Sequence, residues 1–168
     1  MNTAELLRDA FDRVEGAVHR VLDGVTEEQL VTRVGPEANT IAWLVWHSAR
    51  VQDHHVSELI DADQVWISDD WARGFGLDPD PSNTGYGHSA ADVVTVRPER
   101  PEVLLEYLDA VDRRTISLLE TVTTGELDRI VDRRWDPPVT LGVRLVSVAD
   151  DCLQHLGQAA YVRGLLRA

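Results

Sequence analysis

Near its C-terminus the chain reads "DDCLQHLGQAAYVRG", Asp150 to Gly164. Asp151 and His155 stand four residues apart, and Gln158 follows three further on. At about 100° per residue on a helix, the three fall within an arc of roughly 60°. A second polar intrusion lies earlier, in "WLVWHSARVQDHH". It places His47 close to Trp43 and Trp46, with His54 two turns further on and His55 beside it. An Asp-x3-His pair on one helix, faced by a His from another, is how helical bundles build metal sites from inward side chains. Three protein ligands with an open fourth position describe a catalytic zinc-type centre. Nitrogen and oxygen donors also suit nickel or iron, so the donor set does not choose the ion. The pattern has a plainer reading: an i, i+4 Asp–His pair also forms surface ion pairs. Both readings stand at this level.

Other chemistries are poorly served. All sixteen basic residues are arginine, which excludes a lysine Schiff base and a P-loop lysine. The single cysteine, Cys152, lies on an apolar stripe next to Asp151, where a buried thiol is inert rather than nucleophilic. One cysteine allows no intramolecular disulfide and fits a reducing, cytoplasmic setting. The glycines of "GFGLDPDPSNTGYG" do not open a helix after a strand, so they make no nucleotide fingerprint. A net charge of −13 disfavours nucleic acid and anionic membranes as partners. The start, "MNTAELLRDAF", has neither the basic nor the apolar region of a signal peptide. No run approaches 18 apolar residues, so no membrane span is expected. His19 and His88 have no pattern around them.

Four long amphipathic segments must position the polar groups. Thr3 is expected to cap the first, which carries Leu6, Leu7, Phe11, Val14, Val18 and Leu22 at roughly helical spacing and ends at Gly24. Asn39 is expected to cap the second, through about Ile60. Pro101 opens the third. Thr140 caps the last, whose stripe is Leu141, Leu145, Val148, Cys152, Ala159 and Val162. Residues 61–87 form a long connection rich in Asp, Gly, Pro and Trp, and Trp66, Trp71 and Phe75 should pack it onto the body. There is no convincing strand pattern. The fold class is therefore all-α, one domain over residues 1–168: a four-helix bundle with short extra helices and long connections.

"NTIAWLVWHSARVQDHH" and "DCLQHLGQAAYVRGLL" together resemble the DinB-like superfamily of four-helix-bundle metalloproteins. "RRWDPPVTLGVRLVSV", leading into the last helix, fits the branch that includes actinobacterial mycothiol S-transferases. A common triad there is one His on the second long helix and a His-x3-His pair on the last. His47 matches the first and His155 the last; Asp151 stands where the remaining His would be. A carboxylate is an ordinary zinc ligand.

The resemblance implies a divalent metal at His47, Asp151 and His155, zinc first, with nickel or iron as alternatives. It implies a mycothiol-type thiol as cosubstrate and an electrophilic small molecule as its partner, joined by a metal-dependent thiol S-transferase. Two other readings remain: a mycothiol-dependent isomerase of the maleylpyruvate isomerase kind, and a non-catalytic stress-related bundle that binds a ligand or partner. Gln158, Arg50, Arg144, Trp43 and Trp46 are the expected substrate contacts, with Trp66 and Trp135 as further walls. A two-fold homodimer is also expected.

Overall fold

The computed structural model describes residues 1–167. Asn2 caps α1 (Thr3–Leu22) in a capping box with Glu5. Asn2 rather than Thr3 takes the cap because its side-chain oxygen reaches the Glu5 N–H at 2.9 Å while the Glu5 carboxylate accepts the Asn2 N–H. The short α2 (Glu27–Val31) follows. Thr40, not Asn39, caps α3 (Ile41–Leu59), its hydroxyl accepting from the Trp43 N–H. Pro101 occupies the first position of α7 (Pro101–Leu119), where its missing N–H is not needed. The Thr140 hydroxyl accepts the Val143 N–H at 3.4 Å at the start of α8 (Leu141–Arg167).

The four long helices form the bundle: α1 and α3 each pack on both α7 and α8. Every residue of the α8 stripe read from the sequence is buried. On α3 the stretch from Ile41 to Arg50 is buried all round, because the bundle covers one side and the 61–87 connection the other. That connection holds α4 (Val65–Ser68) and α5 (Trp71–Gly74). It seats Trp66 and Phe75 with no exposed surface. The small α6 (Ala90–Val93) follows, capped by Ser89. No helix is long and apolar enough to cross a membrane among the described residues.

The structure adds a feature the sequence did not suggest. β1 (Ile130–Asp132) and β2 (Val139–Thr140) pair antiparallel just before α8. Two and three residues are too few to display alternation.

A polar cluster is buried beneath the 61–87 connection. Arg50 and Asp53 are both fully buried. The Asp53 carboxylate accepts from the Val65 and Trp66 N–H groups at 2.9 and 2.8 Å and from the Tyr107 hydroxyl at 2.8 Å. It thus holds the start of α4 against α3 and α7. Asp53→Ala should cost about 3–5 kcal/mol, because it strands the Arg50 charge in the core; urea unfolding monitored by circular dichroism checks this.

Candidate metal centre

α3 and α8 run antiparallel at the site: His47 faces Asp151, and eight residues on, His55 faces Arg144. His47, Asp151 and His155 each present one donor atom, all within 4.8 Å of one another. His47 is 5% exposed. Its Nδ1 lies 2.6 Å from the Thr84 carbonyl oxygen. A carbonyl only accepts, so Nδ1 carries the proton and Nε2 keeps a free lone pair. The His155 Nδ1 is likewise 2.9 Å from the Asp151 main-chain carbonyl, which frees its Nε2. This is the arrangement that fixes the ring of a metal-ligating histidine.

The Asp151 Oδ2 atom is buried and has no hydrogen-bond partner. It lies 3.8 Å from the His47 Nε2 and 3.6 Å from the His155 Nδ1, beyond hydrogen-bond range. Two donors each about 2.1 Å from one tetrahedral ion sit roughly 3.4 Å apart, close to the Asp151 Oδ2–His47 Nε2 spacing; the donor of His155 is its Nε2, since its Nδ1 is taken by the Asp151 carbonyl. An orphaned buried carboxylate oxygen beside two imidazoles is a donor set that fits a divalent metal. Burial holds the His47 imidazole below its ordinary value of 6.5, with His155 and His88 adding to the effect, while the Thr84 carbonyl and Asp151 oppose it. The ring therefore stays neutral, as a ligand must.

The loop between α5 and α6 completes the centre. Trp43 stacks on His47, ring centroids 4.7 Å apart. Its indole N–H donates to the His88 Nδ1 at 3.0 Å, and the His88 Nε2–H donates to the Asn83 side-chain oxygen at 2.9 Å. Gly85 lies directly over these rings. A Cβ there would sit 2.8 Å from the His47 Nδ1 and 2.9 Å from the Trp46 ring, and the backbone φ is +92°. No other residue suits that position.

Several expected contacts are placed elsewhere. Arg50 does not face the site. Its guanidinium donates to the carbonyls of Asn83 and Pro81 at 3.0 and 3.2 Å and to the Gln64 side chain at 2.8 Å. It also meets Asp53 and the Tyr107 hydroxyl. It is spent on holding the loop, so no donor is left for a substrate carboxylate. Gln158 is exposed on α8 and lines neither cavity of the site, because α8 turns it past the α3 interface. Trp46 and Trp66 are fully buried core residues; Trp66 lies under the Arg50 guanidinium. Trp43 walls the centre itself. Cys152 is fully buried, and burial, with Asp151 beside it, pushes its thiol far above the ordinary range, leaving it inert.

Thr84, Gly85 and His88 escaped the sequence reading. The glycine in "NTGYG" was the available signal, but only the fold shows what it lies against. A cavity of about 280 Å³ opens over the centre, with His47 and Asp151 at one end, His54 and His55 at the other, and Tyr86 at the rim. His54 is held in place by the connection: its Nδ1 accepts from the Gln64 side-chain amide at 3.1 Å. Arg144 lies 3.4 Å from the His55 Nε2 and 2.9 Å from Asp132.

Gly85→Ala should push the loop off His47, lowering metal affinity about 10–100-fold with helicity retained; equilibrium dialysis checks it. Burial, reinforced by Arg144 and His54, pushes His55 down to about 4 from 6.5, against the pull of Glu58. Between those values the unfolded chain binds a proton that the folded chain does not, so stability falls as the pH drops through that window. His55→Gln should flatten the decline between pH 6.5 and 4, as measured by urea midpoints.

Comparison with known proteins agrees with this architecture. The structure resembles the crystal structure of a conserved protein from Enterococcus faecalis, with a TM-score of 0.89 and 32% sequence identity over 97% of this chain and 96% of that one. No curated protein matches the chain. The family model for mycothiol S-transferase matches residues 6–168. The chain therefore belongs to the mycothiol S-transferase family, with the DinB-like bundle fold.

Proposed function

We propose that the protein is a metal-dependent thiol S-transferase that joins a mycothiol-type thiol to an electrophilic small molecule. The observation that carries this reading is the buried, unpartnered Asp151 carboxylate oxygen beside His47 and His155 on a cavity. Family membership supports the thiol as cosubstrate. A divalent ion held there, zinc being the first candidate and nickel or iron the others, would supply the acidity by which a bound thiol loses its proton at neutral pH.

The chain's residues prepare the site for that chemistry. Asp151 brings one negative charge, and the two neutral imidazoles bring none. The Thr84 carbonyl and the Trp43 ring hold the His47 lone pair in one direction, so little reorganisation accompanies ligand binding. Val51 and the 84–86 loop line the cavity and limit the water that competes for an electrophile. The new bond is between the thiol sulfur and the electrophilic carbon, and a leaving group departs or a double bond is saturated.

Elemental analysis of the purified protein beside His47→Ala and His155→Ala should find about one zinc or similar ion per wild-type chain, and far less in either variant. Conjugating activity with mycothiol and an electrophile such as a haloarene should vanish with the metal while circular dichroism is unchanged. Full metal content in His155→Ala would sink the ligand assignment. An isomerised product with the thiol returned would assign the centre to the isomerase class instead. A protein that takes up no metal would be a binding bundle.

A further inference from the structure

The cavity on the α3–α8 seam is lined by three histidines of one helix, His47 at one end and His54 and His55 at the other. His54 stands seven residues beyond His47, close to two full turns. The two therefore project from the same face, about 10 Å apart along the helix. The partners of each ring decide which nitrogen carries the proton, and they decide differently.

The tautomer of His54 is set through Gln64. The Gln64 side-chain oxygen accepts from the Arg50 guanidinium at 2.8 Å, and a guanidinium only donates. The amide is thereby oriented, and its NH2 group points to the His54 Nδ1 and to the Pro81 carbonyl, each at 3.1 Å. An NH2 group also only donates. The His54 Nδ1 is therefore the acceptor, and the proton of the neutral ring stands on Nε2. Burial lowers the pKa of His54, with Arg50 and Arg144 adding to the effect against Glu58 and Asp53, so the ring is neutral at pH 7. His47 is the reverse case, with its proton on Nδ1 and its Nε2 lone pair free. The His55 Nε2 faces the Arg144 guanidinium at 3.4 Å.

His54, His55 and Glu58 have the spacing of a second metal cluster, but not its chemistry. The Nδ1 lone pair of His54 is committed to Gln64, its Nε2 is protonated, and a guanidinium cation stands beside His55. What His54 can offer the cavity is an N–H donor. With Val51 and Tyr86 also in the lining, that donor is fitted to an oxygen that gains negative charge when a nearby carbon is attacked.

We propose that His54 is a catalytic residue, donating its Nε2–H to the oxygen of an electrophile of the α,β-unsaturated carbonyl class. The attack rests on the thiol-transfer reading; the donor can be tested apart from it. The thiol loses its proton to water. A sulfur lone pair forms the C–S bond at the β carbon, the C=C pair moves between the α and carbonyl carbons, and the C=O pair becomes a lone pair on the enolate oxygen. His54 holds that oxygen by a hydrogen bond and keeps its own proton. The α carbon then takes a proton from water, and the carbonyl is restored.

One arm of the test records ¹⁵N NMR of histidine-labelled protein, with His54→Leu assigning the signals, and titrates in 4-phenyl-2-butanone, a saturated ketone that no thiol attacks. The other arm measures conjugation of mycothiol with 4-phenyl-3-buten-2-one, the matching enone, and with benzyl chloride, which has no oxygen. The expected spectrum shows His54 protonated at Nε2, and the ketone shifts that signal saturably. The ratio of kcat/KM for the enone to that for benzyl chloride should fall about 100-fold in His54→Leu. His54→Gln, which keeps an N–H donor, should recover at least about tenfold of it. A proton on Nδ1, a signal that the ketone does not move, an unchanged ratio in His54→Leu, or a His54→Gln no better than His54→Leu would each overturn the proposal. A ketone-dependent shift at His54 in a protein that conjugates neither electrophile would support the donor and remove the transferase reading.

Discussion

The buried Arg50 guanidinium is the contact on which the rest of the site depends. A charge with no exposed surface is tolerable only when every donor is met. Here its N–H groups reach Asp53, Tyr107, Gln64 and the carbonyls of Pro81 and Asn83. Those acceptors come from α3, from α7 and from the 61–87 connection. One side chain therefore ties two bundle helices to a segment with little regular structure of its own. Asp53 completes the tie by capping the backbone N–H groups of Val65 and Trp66. The loop that follows reaches the His47–Asp151–His155 cluster already anchored at residues 81 and 83, one to three residues before Thr84.

From that anchor the geometry propagates. Thr84 aims its carbonyl at the His47 Nδ1, and this single acceptor decides which ring nitrogen is free. Asn83 and His88 hold the Trp43 indole, and Trp43 in turn lies flat on His47. The imidazole is thus fixed by a hydrogen bond from one side and a ring face from another. Asp151 and His155 need less help, because both are on one helix and His155 is oriented by the main-chain carbonyl of Asp151 itself. The α3 side of the centre is built by a loop, the α8 side by helix geometry alone.

The charge along the same seam differs between its two ends. At one end, neutral imidazoles and a single carboxylate leave a charge that a divalent ion would overbalance to a net positive value, which favours an anionic sulfur. At the other end Asp132 neutralises Arg134 and Arg144, and the side-chain hydrogen bonds from Arg134 hold Asp132 well below the usual carboxylate range. That pairing therefore stays ionised around neutral pH.

How much of this was legible in advance follows from the range of the interactions. The four long helices, the α8 stripe and the angular relation of Asp151 to His155 depend on a 3.6-residue period, which is a local property and can be counted along the chain. His47 stood out for the same reason, as a polar residue in an apolar helical run. Arg50 was misread, because the sequence shows a charge on a helix but not the 61–87 connection folding over it. Gly85 looked like one more loop glycine until its backbone was found against the His47 and Trp46 rings. The β1–β2 pair and the Asp132–Arg144 contact join residues through a turn too irregular to carry a period. The sequence by itself determined which segments become helices and which faces they bury, since backbone hydrogen bonding and apolar spacing are local. Only the tertiary structure decided which donors converge, because loop position depends on buried polar pairs whose partners are distant in the chain.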